Sequence, residues 1–267
     1  MDLQAVFSRL FEDYKSLNPS VDNIHSLLKN KNEQIVNDHI AFRTYNLPKI
    51  NTDVLAKAFE VRGYKEKGNY RFKEKKLTAK HYENDEISSA PKIFISQLEI
   101  NELSKQNQTI INQHYQSILD DLPNPEELIF ALNKWITPSF KIYEELKLES
   151  EYAAWMYVFG FRANHFTVFV NHLNQFNTLE ELNDFLMQEG FELNRSGGII
   201  KGSKAQYLKQ SSTLADKVEI KFLEGKHVIP ACYYEFAQRF ALPNGDIFNG
   251  FIASSADKIF ESTDFRK

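Results

Sequence analysis

The spacing of apolar residues changes along the chain and divides it into blocks. In residues 1–36, apolar side chains recur every three or four positions, which predicts amphipathic N-terminal helices. The period then becomes two, so that His39 and Ala41 fall on one face of a predicted strand. Residues 37–100 are therefore predicted to form a first sheet module, in which a strand and a helix precede several further strands.

The strand and helix pattern occurs a second time. His165 on a predicted strand follows His39 by 126 residues, and the predicted helix caps Thr52 and Thr178 have the same offset. Two copies of one module are the simplest explanation. Because no linker rich in Gly, Ser or Pro separates the copies, we expect them to pack as one body.

The remaining blocks complete the predicted organisation. Residues 101–160 have helical spacing interrupted by prolines, and are predicted to form a helical connector that includes Leu128, Ile129 and Leu132. Residues 161–267 are predicted to form the second sheet module, with strands after its helix at 199–200, 206–208, 218–222 and 229–240. The expected fold class is α+β, with two strand-helix-strands modules forming a pseudo-two-fold mixed sheet around a metal cavity.

Composition narrows the classes of function. A net charge of −4 and a pI near 6.0 give no electrostatic footprint for nucleic acid. No apolar run approaches the roughly 20 residues that span a bilayer, so no membrane partner is expected. A single cysteine, Cys232, and a start without signal-peptide features predict a cytoplasmic protein. The expected partner is a small molecule, and the sequence leaves the oligomeric state open.

Three residues are the candidate metal ligands. His39 and His165 occupy equivalent positions of the repeat, and pairing of the two first strands would bring both imidazoles to one cavity. Glu235 lies in the otherwise apolar run 229–237, where an unpaired carboxylate would be costly to bury. A salt bridge with Arg239 or another arginine is one explanation. The other is a metal held by two His and one carboxylate, which suits Fe(II), although zinc, nickel, manganese or cobalt bind similar groups.

The candidate substrate residues lie near these ligands. Arg43 shares the strand face of His39 about 13 Å further along, and its counterpart in the second module is Phe169. This asymmetry fits an arginine that grips an anionic substrate, with a structural ion pair as the alternative. Further polar pocket candidates near the end of the second module are Gln210, Ser211 and Tyr233.

Several separated blocks resemble the DUF1338 family in the same order. These blocks are residues 37–44, 91–96, 163–167, 233–239 and 253–263. The resemblance implies a vicinal-oxygen-chelate-like fold, with iron(II) held by His39, His165 and Glu235 and with Arg43 as the substrate-binding cation of the catalytic site. The ligands and the cation agree with those reached from spacing and burial.

The resemblance also implies an activity. The family's characterised reaction is that of a 2-oxoadipate dioxygenase/decarboxylase, which uses O2 and forms 2-hydroxyglutarate with release of CO2. Two other functions remain open from the residues alone. One is a metal-dependent isomerase or lyase of glyoxalase type, which needs no oxygen. The other is a non-catalytic module that binds a small anion.

Overall fold

The computed structural model describes residues 1–131 and 136–253. Its helices, in chain order, are α1 (Leu3–Ser16), α2 (Ser20–Asn30), α3 (Thr52–Glu60), α4 (Lys105–Ile118), α5 (Phe140–Glu149), α6 (Glu151–Phe159) and α7 (Leu179–Gln188). Its strands are β1 (Asn37–Tyr45), β2 (Tyr64–Phe72), β3 (Leu77–Asn84), β4 (Lys92–Leu98), β5 (Ala163–Phe169), β6 (Lys201–Ser203), β7 (Leu208–Ser212), β8 (Lys217–Phe222), β9 (Gly225–Pro230) and β10 (Glu235–Arg239).

One eight-stranded mixed sheet dominates the fold. Its strand order is β2-β3-β4-β1-β5-β10-β7-β6, so that one module forms each half. The first strands of the modules, β1 and β5, pair antiparallel at the centre. In each half the last strand of the module returns parallel to the first, β4 beside β1 and β10 beside β5. The predicted α+β class and pseudo-two-fold mixed sheet are therefore confirmed.

The two faces of the sheet are covered differently. On the outer face, α3 packs Phe59 against Phe42 of β1, with ring centroids 5.3 Å apart, while α7 contacts β7 and β10. The inner face carries the alternate residues of β1, which are His39, Ala41 and Arg43. Helix α6 of the connector covers one end of that face. The connector therefore helps to enclose the predicted cavity.

The caps of the two equivalent helices differ. Thr178 caps α7 as predicted, because its hydroxyl accepts a hydrogen bond from the Glu181 amide at 3.2 Å. In the first module the prediction of Thr52 was wrong, since Asn51 accepts from the Val54 amide at 3.1 Å. The Thr52 hydroxyl bonds to Gln97 of β4 instead.

The strands after α7 differ from the prediction. The single strand predicted at 229–240 is broken, because β9 ends at Pro230 and pairs with β8 in a separate two-stranded sheet. Just after the end of β9, the Trp155 indole donates a hydrogen bond to the Ala231 carbonyl at 2.7 Å. The predicted strands at 199–200 and 206–208 begin later, at Lys201 and Leu208. A left-handed Tyr207, with φ of 63°, separates them.

The connector forms the predicted helices α4, α5 and α6, but one segment differs from the prediction. Pro125–Phe130 forms a 3-10 turn rather than an α-helix, and Leu132 lies outside the described residues, as does the tail from residue 254. Within the described ranges, no helix combines the length and apolarity needed to cross a membrane. The division of the chain at residues 36, 100 and 160 stays a prediction.

Candidate metal centre

The three predicted ligands meet on the inner face of the sheet. His39, His165 and Glu235 come from β1, β5 and β10, and one potential ligand atom of each lies within 4.8 Å of the other two. One Glu235 oxygen is 3.6 Å from His39 Nε2 and the other is 3.1 Å from His165 Nε2. Since all three side chains are at most 4% exposed, the group forms a closed cluster of metal-ligating atoms.

A bulge precedes each histidine. Between β1 and β5 the pairing skips Asp38 on one strand and Asn164 on the other, so each extra residue stands directly before a ligand. Each then bonds to the histidine that follows it. Asp38 Oδ1 lies 2.8 Å from His39 Nδ1, and Asn164 Oδ1 lies 3.1 Å from His165 Nδ1. With Nδ1 held by an acceptor, Nε2 of each ring faces Glu235, where it can bind an ion. The Thr167 hydroxyl also lies 3.1 Å from His39 Nε2.

Asp38 is also the partner of Arg239. The guanidinium donates to both carboxylate oxygens, from Nε at 2.6 Å and from Nη2 at 2.8 Å, and neither side chain is exposed. Burial opposes ionisation of Asp38, but the charge and hydrogen bonds of Arg239 outweigh it and hold the pKa of Asp38 well below its usual range. Arg239 is therefore engaged by Asp38 and is not the counter-ion of Glu235.

The side chain that hydrogen-bonds to Glu235 is uncharged. Gln210 of β7 donates a hydrogen bond from Nε2 to its Oε1. Burial raises the pKa of Glu235 to about 8 and lowers the pKa of His39 and, further, of His165. A divalent cation would compensate the buried carboxylate and accept both Nε2 lone pairs. The donor set therefore fits a metal of the kind bound by two His and one carboxylate.

Arg43 lies beside the centre and lacks an ion-pair partner in the described part of the chain. Its guanidinium carbon is 4.9 Å from the Tyr152 ring and 5.0 Å from the Trp155 ring, and it is 1% exposed. Its Nε and Nη1 donate no hydrogen bond to any described residue. The buried Tyr233 hydroxyl also has no hydrogen-bond partner among the described residues. Since leaving such groups unpaired is costly, this corner is suited to an anionic ligand.

Tyr233 connects Arg43 with the ligands. Its ring stacks on His165 at a centroid distance of 4.7 Å. Burial raises the pKa of Tyr233, and the positive charge of the Arg43 guanidinium opposes that rise. The structure thus brings Arg43, Tyr233 and Gln210 to the centre. It does not bring Ser211 there, because Ser211 lies on the outer face and donates to Asn183 of α7 at 2.7 Å.

Sequence reasoning missed some of the surrounding residues. Asp38 and Asn164 had a usable signal, since each directly precedes a repeated histidine. Phe251 had none. Its ring meets His39 edge to face at 4.9 Å, across a separation of 212 residues in the chain (251 − 39 = 212). Contacts of that range depend on tertiary packing and leave no local pattern.

Comparison with known proteins agrees with this geometry. The sequence profile of a family described as 2-oxoadipate dioxygenase/decarboxylase matches residues 6–122 and 126–248. The chain belongs to this family. Its plant relatives include the chloroplastic 2-oxoadipate dioxygenase/decarboxylase of Arabidopsis thaliana, with 34% identity over 97% of this chain and 77% of the relative. The predicted family resemblance is thereby confirmed.

Two solved structures match most of the chain. The hydroxyglutarate synthase of Oryza sativa, determined in complex with 2-oxoadipate, matches with a TM-score of 0.90 and 34% identity over 98% of this chain and 91% of that one. A Shewanella frigidimarina protein described provisionally as a hydrolase matches with a TM-score of 0.87. The two chains are 44% identical, over 94% of this chain and 98% of that one.

A third structure bears on the fold alone. A protein assigned to the glyoxalase superfamily, from Ralstonia eutropha JMP134, matches with a TM-score of 0.72 and 20% identity over 91% of this chain and 83% of that one. The vicinal-oxygen-chelate type of fold expected for members of the 2-oxoadipate dioxygenase/decarboxylase family is confirmed by these structures.

The burial of Glu235 predicts a pH dependence of stability. The pKa of Glu235 is about 8 in the folded metal-free chain, against an ordinary value of 4.5, so the folded state retains a proton that the unfolded state releases. Relative to Glu235→Gln, metal-free wild type should lose stability as pH rises from about 4.5 to about 8, by up to about 1.4 kcal/mol per pH unit, and change no further above that. Urea denaturation with a chelator present measures this difference. If the free energies of unfolding of wild type and Glu235→Gln changed in parallel with pH over this range, the raised pKa of Glu235 would be refuted.

Proposed function

We propose that this protein is an iron(II)-dependent dioxygenase/decarboxylase that acts on a 2-oxo acid, with 2-oxoadipate as the substrate and 2-hydroxyglutarate and CO2 as products. The observation that carries the proposal is the convergence of His39, His165 and Glu235 beside a buried Arg43 that has no ion-pair partner in the described ranges. Membership of the 2-oxoadipate dioxygenase/decarboxylase family, and the acid bound in the rice structure, support the choice of substrate.

The ligands and their supports define the first task of the chain. His39, His165 and Glu235 would hold the ion, and a set of three protein ligands leaves coordination positions for reactants. Iron(II), when bound, would supply the electrons that activate O2. Asp38 and Asn164 keep the imidazoles oriented, so that little reorganisation is needed when the ion binds.

Arg43 and Tyr233 perform the second task, which is to orient the acid. On an extended strand the Cα atoms of His39 and Arg43 are about 13 Å apart and their side chains share a face. A diacid whose 2-oxo end meets the ion would then present its far carboxylate to Nε and Nη1 of Arg43 and to the Tyr233 hydroxyl, which have no hydrogen-bond partner among the residues that the structure describes. Held at both ends, the acid has one orientation toward the ion.

The surroundings perform the third task, which is to exclude water. The rings of Tyr152 and Trp155 lie against Arg43, and those of Tyr233 and Phe251 lie against the two histidines. These mostly apolar walls strengthen the charge interactions between protein and substrate. We place the reaction in the cytoplasm, where the single, buried Cys232 would remain a thiol.

Oxygen consumption tests the proposed reaction. Ferrous protein prepared without oxygen should consume O2 only after a 2-oxo diacid is added, releasing one CO2 for each O2. An oxygen electrode and labelled C1 carboxylate measure the two quantities. Absence of oxygen uptake with a panel of 2-oxo acids would reject the dioxygenase, and turnover of an acid under nitrogen would favour an isomerase or lyase.

Removal of the Arg43 charge should weaken substrate binding. Arg43→Met is expected to raise the KM for the 2-oxo diacid by roughly 10- to 100-fold, because the variant loses a charge-assisted hydrogen bond to the substrate. The bound metal should be retained. Steady-state oxygen uptake measures KM, and metal analysis verifies the content. The matched control is Arg71→Met, which removes an exposed arginine paired with Glu102. An unchanged KM in Arg43→Met would contradict the assigned role.

A further inference from the structure

The segment 248–251 passes over the metal centre without joining a strand. Arg239 Nη1 donates to the carbonyl of Phe248 at 2.9 Å and to that of Gly250 at 2.8 Å. The Phe251 amide donates to the Tyr70 hydroxyl at 3.1 Å. The same arginine binds Asp38, the partner of His39. The segment is therefore tied to the support of a metal ligand.

The Phe251 ring covers one part of the inner face. It is 8% exposed and meets His39 at 4.9 Å with the two rings perpendicular. It also lies 4.7 Å from the Phe94 ring, and the Arg239 guanidinium carbon lies 5.2 Å from it. Since Phe94 is the register partner of Ala41, Phe251 borders the strip of sheet that runs from His39 toward Arg43.

Tyr233 borders the same strip on the other side. Its ring stacks on His165, and His165 is the partner of Ala41 across the β1–β5 pairing. Ala41, whose side chain is a single methyl group, thus has an aromatic wall on either side. The strip over Ala41 leads from the metal ligands to Arg43.

The Phe251 wall has a firm support. Tyr70, which holds the Phe251 amide, bonds to His81 Nδ1 at 2.8 Å, and His81 Nε2 lies 3.1 Å from a Glu83 oxygen. Gly68 makes room for this pair, because a Cβ there would come within 2.8 Å of His81 Nδ1 and 2.9 Å of the Tyr70 oxygen. A ring supported in this way cannot move aside at low cost.

We propose that Phe251 is a specificity-determining residue, which limits the width of the passage over Ala41 so that unbranched 2-oxo acids fit and acids branched along the chain do not. The inference rests on the proposed function, since it takes the acid to extend from the ion to Arg43. A pocket of fixed width discriminates against one added methyl group by roughly tenfold or more.

Binding of two acids to zinc-loaded protein tests the proposal without turnover. The dissociation constants of 2-oxoadipate and of its 4-methyl derivative are measured by calorimetry. Wild type should bind the unbranched acid at least about tenfold more tightly. Phe251→Ala should bring the ratio close to one, and Phe251→Leu should give an intermediate ratio. The leucine variant keeps an apolar side chain there and decides the question if the alanine variant does not fold.

The control variant is Phe140→Ala, which removes a ring that stacks on His227 of β9, in the separate two-stranded sheet. It should keep the wild-type ratio. A wild-type ratio in both Phe251 variants would overturn the inference alone, as would equal binding of the two acids by wild type. If wild type bound neither acid, the proposed function would fail and the inference with it.

Discussion

A carboxylate buried between two imidazoles, with no Lys or Arg of residues 1–131 and 136–253 bonded to it, is the constraint on which this structure depends. Glu235 accepts a hydrogen bond from Gln210, while the nearby Arg239 is bound by Asp38. Burial at this depth makes ionisation of Glu235 expensive unless a positive charge enters. The central pairing of the sheet, with its two bulges, places that carboxylate and both Nε2 atoms around one point. The fold therefore buries a carboxylate whose charge a divalent ion would compensate.

The internal repeat explains both the symmetry and the asymmetry of the centre. Each module supplies a histidine from the same position of its first strand, and each histidine is held by the residue before it. The supports differ, because Asp38 carries a charge paired with Arg239, whereas Asn164 is neutral. The positions four residues beyond the histidines differ too, with Arg43 in one module and Phe169 in the other. The candidate histidine ligands are thus duplicated, while the arginine suited to hold an acid comes from one half.

The sequence indicates which three side chains converge, because their signals are local or repeated. His39 and His165 follow from a constant offset, and Glu235 from its apolar neighbours. Residues that depend on register or tertiary contact were harder to find. A shift of one position turns a strand residue to the other face, and for this reason Gln210 lies at the centre while Ser211 faces α7. Phe251 and the second role of Arg239 depend on a segment that folds back over β1, and nothing in their own neighbourhood of the chain indicates it.

Metal content tests the central claim most directly. Purified protein loaded with iron(II) and passed through a desalting column should retain one ion per chain. Replacement of His39, His165 or Glu235 by alanine should abolish that retention in protein that stays folded, while the exposed His172→Ala should keep it. Full retention of the ion after any one of the three ligand substitutions, or its absence from folded wild type, would contradict a metal centre at this position.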